Sequence, residues 1–320
     1  MSSKRVTLAD IARELGVSVN TVSHALNNKK DISEALKQKI REKADELGYI
    51  PNSVAGSMRS GRSKCLSVIV GDIANPHFSI LIKEIETAAY AKGYTVFVLN
   101  TSEDEKLERQ AIVTSLSKGV DGIILCPVQK TDENIRFLQD SKLPFTLIGR
   151  YFEDIDTNFV VCDDKNGGYL AASYLLDNGH ENIAIFMAPE YISSSRERME
   201  GIRTAFEERG KTVSAKDVLI VSPSTADGDA LSFPESNKYT AAICFSDLLA
   251  LSVLSEAERE LEIVSFDNIR SKFIMPLSFK SITSSKTKMS QKAVEILMNC
   301  IENPLAKNQH VVLPTEIVIS

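Results

Sequence analysis

Short apolar runs alternate with longer amphipathic stretches from Leu66 onward, and this alternation restricts the fold more than any other feature. Buried strands separated by helices form parallel sheets, because each crossover helix covers one face of the sheet. Nine runs exceed what one small doubly wound sheet needs, so the sequence predicts two sheets, with two further extended pieces around Pro314. The predicted strands are 66–70, 95–99, 122–126, 145–148, 159–162, 182–186, 218–221, 240–245 and 262–266.

Three short helices are predicted ahead of these strands, within residues 7–48. Thr7 and Asp10 form a capping-box pattern at the start of the first helix, and Gly16 ends it. Ser18 and Ser33 stand at the N-cap positions of the second and third helices. The pattern therefore predicts a small helical head that precedes the α/β body.

The second helix of the head presents a polar ridge. Asn20 and His24 are four residues apart and lie opposite the apolar Val22. Residues 1–64 carry 12 Lys and Arg against seven Asp and Glu, a net charge of +5, whereas the rest of the chain carries −11. A basic head on an acidic body is typical of a protein that contacts a polyanion through the head alone. The alternative is an ordinary helical bundle with a solvated polar face.

Longer sequence motifs extend through both the head and the body of the chain. The head reads V-T-L-x-D-I-A-x-x-x-G-V-S-x-x-T-V-S-x-x-L-N, followed by G-Y-x-P-N-x-x-A. Later motifs are N-P-x-F at 75–78, G-V-D-G-I-I at 119–124, N-G-H-x-x-I-A at 178–184, R-x-x-G at 198–201 and F-D-N at 266–268. Over essentially its whole length, the chain resembles the LacI/GalR family of transcriptional regulators.

The resemblance implies an α/β protein with three parts. Residues 1–50 would form a three-helix helix-turn-helix DNA-binding domain, and 51–64 a hinge helix and linker. Residues 65–320 would form a periplasmic-binding-protein-like core, in which two interleaved subdomains with parallel sheets bind a small effector and carry the dimer contacts. The expected activity is that of a sequence-specific DNA-binding regulator, a repressor of a carbohydrate-utilisation operon.

The resemblance also assigns DNA-contacting residues in the head. His24 stands where the family usually has Arg, which reads guanine through two hydrogen bonds, so we expect a weaker guanine preference. The base-reading positions are Val19, Asn20 and His24, and the phosphate-contacting positions are Thr7, Ser18, Thr21, Ser23, Asn27 and Ser33.

The hinge is expected to fold on DNA. Met58 stands where the family inserts a Leu between base pairs, and Met is apolar and flexible enough for the same use. Ala55 matches a small residue between paired hinge helices, and Arg59 adds a basic contact. A plain flexible linker is the alternative.

Effector contacts are implied in the core. Arg198 and Asp267 match the family's main ligand-binding Arg and its acidic partner, which suits the hydroxyl groups of a sugar. A purine or a sugar phosphate acting as co-repressor is the alternative effector. No aromatic residue in 222–239 clearly matches a ligand-stacking position. The candidate effector-binding residues are Asn75, Phe78, Arg150, Ser194, Arg198, Ser246, Asp247 and Asp267.

The remaining features of the sequence indicate the location, the oligomeric state and the functional class of the protein. No run resembles a secretory signal or a membrane span, and five scattered cysteines suit free thiols, so a cytoplasmic protein without metal or cofactor is expected. No leucine heptads follow the last strand, which favours a homodimer. Motifs of nucleophilic, zinc and dinucleotide enzymes are missing from the sequence, so no enzyme is expected. A solute-binding protein and a sugar-modifying enzyme are the other classes considered.

Overall fold

The computed structural model describes residues 6–50, 61–222, 238–257, 260–269 and 279–318. The chain divides into two compact units, 1–63 and 64–320. The hinge candidates Ala55, Met58 and Arg59 lie outside the described residues, as does most of 222–239. Within the described parts, no helix is long and apolar enough to cross a membrane.

The first unit contains the three predicted helices: α1 (Leu8–Leu15), α2 (Val19–Leu26) and α3 (Glu34–Glu46). Their caps are the predicted ones. The backbone N–H of Thr7 donates to Asp10 over 2.9 Å, and the Ser18 hydroxyl accepts from the backbone N–H of Thr21 over 3.0 Å. The apolar faces meet in one core, made of Ile11, Ala12, Val22, Ala25, Ile40 and Ala44.

The second unit contains two six-stranded sheets, as the nine apolar runs predict. The first sheet is entirely parallel and has the order β11-β5-β4-β3-β1-β2. β11, the last strand of this sheet along the chain, pairs with β5. The chain therefore returns to the first sheet after it has formed most strands of the second sheet. The strands are β1 (Cys65–Val70), β2 (Thr95–Asn100), β3 (Gly122–Leu125), β4 (Phe145–Ile148), β5 (Phe159–Cys162) and β11 (His310–Leu313).

The second sheet has the order β12-β10-β9-β8-β6-β7 and is parallel except for β12. The sequence did not predict its strand β10, since the run Lys280–Thr283 is short and contains a single apolar residue, Ile282. The strands are β6 (Ile183–Met187), β7 (Val218–Ile220), β8 (Ala241–Cys244), β9 (Glu262–Phe266), β10 (Lys280–Thr283) and β12 (Glu316–Val318).

Helices cover both faces of each sheet. On the first sheet, α4 and α10 pack on one face and α5 and α6 on the other; on the second, α7 and α8 face α9 across the strands. The helices are α4 (Pro76–Ala91), α5 (Glu105–Lys118), α6 (Glu133–Asp140), α7 (Asp164–Asp177), α8 (Ser193–Glu207), α9 (Asp247–Glu256) and α10 (Lys286–Glu302). The chain crosses between the sheets three times, after β5, β10 and β11.

Two glycines let α7 and α8 approach closely. A Cβ on Gly168 would lie 2.0 Å from the backbone oxygen of Arg198, and one on Gly201 would lie 1.9 Å from the backbone oxygen of Lys165. Because no side chain fits at these distances, the glycine of the R-x-x-G motif is required by helix packing.

We expect Gly201→Ala to lower the free energy of unfolding by about 1–3 kcal/mol, because the added methyl group must push the two helices apart. Urea unfolding measures this loss. Arg203→Ala, an exposed substitution on the same helix, is the control and should leave the unfolding midpoint nearly unchanged. Equal midpoints for Gly201→Ala and the control would contradict the close packing.

A cluster of hydrogen-bonded side chains, several of them charged, lies at the amino ends of strands of the second sheet. Lys280, His180 and Tyr174 reach the Glu262 carboxylate over 2.7, 2.8 and 3.0 Å. The hydrogen bonds from Lys280 and His180 lower the pKa of Glu262 to about 2. The ionised carboxylate is therefore stabilised by folding.

We expect Glu262→Gln to reduce the free energy of unfolding at pH 7 by about 2–3 kcal/mol. Since the folded pKa lies below the unfolded value of about 4.3, the contribution is complete above that pH and is lost as the pH falls toward about 2. Urea unfolding at pH 7 and near pH 3, with the exposed Glu86→Gln as control, measures the difference. A difference from wild type that does not shrink at the lower pH would exclude the carboxylate as its source.

Candidate functional site

The second unit encloses a cavity of about 120 Å³ between its two sheets. The carboxyl ends of nine strands, β1 to β9, each contribute a lining residue, either on the strand's last position or within three residues after it. Crevices at the carboxyl ends of parallel strands are the usual ligand sites of open α/β sheets. The strand-end lining residues are Asp72, Glu103, Cys126, Arg150, Cys162, Ala188, Val221, Phe245 and Asp267.

Seven of the eight effector candidates line this cavity. They are Asn75, Phe78, Arg150, Ser194, Arg198, Ser246 and Asp267. Asp247 does not line it. Its fully buried carboxylate accepts from the Ser281 hydroxyl over 2.8 Å and from the Ile269 backbone N–H over 2.7 Å, and Ser265 also donates to it. Burial raises the pKa of Asp247 to about 6. This side chain turns into the sheet and joins β9 to β10, so it supports the segment that carries Asp267.

Arg198 is held from several sides. Its Nε donates to Asp164 over 2.7 Å, and its Nη1 donates to the backbone oxygen of Phe245 over 2.7 Å. The guanidinium also lies 4.0 Å from the ring centre of Phe266. Burial raises the pKa of Asp164, and its pairing with Arg198 opposes that effect. Arg198 therefore lies at the cavity wall with a carboxylate partner, a backbone partner and an aromatic contact.

Arg150 is likewise paired. Its two terminal nitrogens each donate to one oxygen of Glu103 over 2.8 Å, and Nη1 also donates to the backbone oxygen of Pro127. Both side chains are buried. Each guanidinium that lines the described cavity wall thus has a carboxylate partner already.

Asp267 lies at the cavity wall, directly after β9. Its backbone has a φ of 101°, and Lys286 donates to its backbone oxygen. Nδ1 of His77 lies 3.1 Å from its Oδ1, close enough for an ion pair but not aligned as a hydrogen bond. Burial alone would raise the pKa of this carboxyl, but His77 and Arg198 beside it lower that pKa to about 2. Asp267 is therefore an ionised acceptor at the cavity wall.

The sequence analysis missed five polar residues of the cavity, which are Asp72, His77, Glu103, Asp164 and Ser222. Four of them follow within four residues of the predicted strands 66–70, 95–99, 159–162 and 218–221, and His77 lies inside the N-P-x-F motif. Polar residues that follow predicted parallel strands were the signal that could have found them. Cys126 and Cys162 also line the cavity, and burial raises the pKa of each to about 12, so both are thiols.

The polar ridge of the head is present on α2. Val19 and Asn20 are exposed, Thr21 and His24 are partly exposed, and Ser23 is buried, which leaves it less accessible to a phosphate. Thr7, Ser18 and Ser33 are the N-caps of the three helices, where the positive end of the helix dipole favours an anion. Asn27 follows α2 and donates to the backbone oxygen of Ser23 over 2.7 Å.

Comparisons with known proteins cover both units. Residues 7–52 match the model of the bacterial regulatory proteins of the lacI family. Residues 63–296 match the model of the periplasmic binding proteins and sugar-binding domain of the LacI family.

Individual relatives agree over nearly the whole chain. The HTH-type transcriptional repressor PurR of Aliivibrio fischeri (strain MJ11) is 27% identical over 310 residues, which are 93% of this chain and 92% of the relative. The lac repressor dimer bound to operator and the anti-inducer ONPF has the same fold, with a TM-score of 0.82 and 21% identity over 99% of this chain and 98% of that one. The transcriptional regulator CelR in complex with cellobiose has a TM-score of 0.71 and 20% identity over 98% and 99%. The chain therefore belongs to the LacI family of bacterial regulatory proteins, with a DNA-binding head and an effector-binding core.

Proposed function

We propose that this regulator is a homodimeric repressor of carbohydrate-utilisation genes, and that a neutral sugar of monosaccharide size in the core cavity releases it from its operator. In this proposal residues 1–50 are the DNA-binding head, 51–64 the hinge and 65–320 the core, and the protein acts in the cytoplasm beside the DNA. The observation that carries the effector class is the cavity itself, with its paired guanidinium groups and the ionised Asp267.

The size of the cavity supports a small effector. A buried water needs roughly 10–15 Å³ of such space, so about 120 Å³ accommodates on the order of ten water-sized groups. One monosaccharide or one purine base has this size, and a disaccharide exceeds it. The apolar walls include Phe78 and Phe245, which suit the face of a sugar ring.

The charges of the cavity favour a neutral ligand. Arg150 and Arg198 are each paired with a carboxylate, so neither offers a free positive charge to a phosphate group. Asp267 and the amide of Asn75 are suited to accept and donate hydrogen bonds to hydroxyl groups. The sugar-bound CelR structure supports the same class. A sugar phosphate would have to displace one of the buried ion pairs.

Release from DNA follows from the contact between His77 and Asp267. His77 lies on α4, which packs on the first sheet, and Asp267 follows β9 of the second sheet. A sugar hydroxyl that donates to Asp267 competes with His77 for the same carboxylate. The relative position of the two sheets would then differ between the sugar-bound and the sugar-free protein. By reciprocity, sugar and DNA change each other's affinity by the same factor.

We expect one monosaccharide to raise the melting temperature of the full chain in a panel of mono- and disaccharides, sugar phosphates, nucleosides and purines. Asp267→Asn should weaken its binding by about 10- to 100-fold, because a hydrogen bond to a charged group is lost. Asn tolerates the left-handed backbone at this position, so the variant should fold. Calorimetric titration gives the affinities.

Asp140→Asn, at the end of α6 and outside the cavity, is the control and should bind as wild type does. A purine or a sugar phosphate as the only ligand of the panel would replace the sugar proposal by the co-repressor alternative. Undiminished binding to Asp267→Asn would exclude Asp267 as the acceptor.

Exposed apolar residues on the sheet edges support the homodimer. Phe97 and Val98 of the edge strand β2 are 48% and 42% exposed, and Ile220 of the edge strand β7 is 55% exposed. Unpaired edge strands with apolar side chains promote association unless they are covered. A second copy of the chain, lying along β2 and β7, would cover both edges. Two-fold symmetry would then match two half-sites of the operator.

We expect Phe97→Asp to shift the protein from dimer to monomer in sedimentation experiments at micromolar concentration, and to weaken operator binding in parallel. Leu305→Asp is the control, since Leu305 is 98% exposed and lies on neither edge. Both variants should retain sugar binding, which shows that the core is folded. A Phe97→Asp variant that stays dimeric would place the interface elsewhere.

A further inference from the structure

The base-reading candidate His24 has a carboxylate partner within the head. Its Nδ1 lies 2.5 Å from Oδ2 of Asp31. The chain turns back after α2, where the backbone N–H of Lys29 donates to the backbone oxygen of His24 over 3.0 Å and Asn28 has a φ of 55°. This turn brings Asp31 beside a side chain seven residues earlier. Neither the motif nor the spacing of α2 predicted the contact.

We propose that Asp31 is a positioning residue that determines which base edge His24 reads, by holding a ring proton on Nδ1. The proposal rests on the base-reading role of His24, which is part of the proposed function. Asp31 itself need not contact the DNA.

The chemistry follows from the two ring nitrogens. An ionised carboxylate only accepts hydrogen bonds, so the nitrogen that faces Asp31 must carry a proton. In the neutral ring, Nε2 is then an acceptor, which suits the amino groups of adenine N6 or cytosine N4 in the major groove. In the imidazolium form, Nε2 also carries a proton and becomes a donor, which suits O6 or N7 of guanine. The position of the ring proton therefore determines which bases suit His24.

The surrounding charges keep Asp31 ionised. The hydrogen bond from His24 lowers the pKa of Asp31, and the nearby Lys29 ammonium acts in the same direction. On α3, Lys37 is paired with Glu34 over 2.7 Å, and Arg41 donates to the side-chain oxygen of Asn28 over 3.3 Å. Lys37 and Arg41 of α3 thus have partners other than Asp31, and Asp31 has His24.

A purely structural role does not explain this pair well. Both side chains are at least partly exposed, and exposed ion pairs contribute little to stability. The pair instead fixes the tautomer and the orientation of a ring whose other edge is presented on the polar ridge. We therefore expect Asp31→Asn to leave the unfolding midpoint of the full chain unchanged while altering recognition.

The first experiment measures the tautomer without DNA. The full chain is labelled with ¹⁵N-histidine, and the ring nitrogens of His24 are compared at pH 8 in wild type, Asp31→Asn and the control Asp45→Asn, an exposed position on α3. We expect the proton on Nδ1 in wild type and control. In Asp31→Asn, whose amide can donate or accept, the Nδ1-protonated fraction should fall. Equal fractions in all three proteins would overturn the proposal.

The second experiment measures base preference. The same proteins and His24→Ala select operators from a randomised double-stranded library at pH 8. Wild type and Asp45→Asn should prefer adenine or cytosine at one base step by about five- to tenfold. Both Asp31→Asn and His24→Ala should lose this preference.

The outcomes separate this proposal from the proposed function. If Asp31→Asn keeps the base preference of wild type, Asp31 does not position His24. If wild type selects an operator and His24→Ala selects the same one, the base-reading role of His24 fails, and the inference fails with it, although operator binding stands. Failure of wild type to select any sequence would instead contradict the operator-binding function.

Discussion

The buried guanidinium of Arg198 joins the parts of the core from which the cavity is made. It bonds Asp164 at the start of α7, the backbone oxygen of Phe245 after β8 and, through its face, the ring of Phe266 at the end of β9. Removing one member of a buried ion pair costs about 3–5 kcal/mol, since the other charge is left unpaired. Because α7 and α8 meet through Gly168 and Gly201, this charged contact and the helix packing depend on each other.

The periodicity of the sequence predicted most of the fold for a simple reason. Strands buried on both faces are continuous apolar runs, and the predicted runs at 145–148, 159–162 and 262–266 have the same bounds as β4, β5 and β9. The strand at 280–283 was missed because only its two central residues, Ser281 and Ile282, are buried, and one of them is polar. Pairing between distant segments, such as β11 beside β5, depends on tertiary packing that no local pattern contains.

Lining residues of the cavity were predictable where a sequence motif identifies them. They were not predictable where the direction of the side chain depends on the fold. Arg198 and Asp267 were found through R-x-x-G and F-D-N, and both reach the cavity wall. Asp247 follows the N-cap Ser246, and its carboxylate turns toward β10 and not toward the cavity, a choice of rotamer that sequence does not reveal. His77 and Asp31 were missed for a related reason, since each acquires its role from a partner brought near by folding.

Three crossings of the chain connect the two sheets that enclose the cavity. Two of them lie side by side, since the backbone N–H of Asp163 donates to Leu313 over 2.8 Å and the hydroxyl of Thr315 donates to the backbone oxygen of Asp163 over 3.1 Å. A ligand between the sheets can shift their relation only if its contacts differ between the two arrangements. In the proposed mechanism Asp267, which contacts His77 in this structure and would contact a hydroxyl group of the sugar, provides that difference.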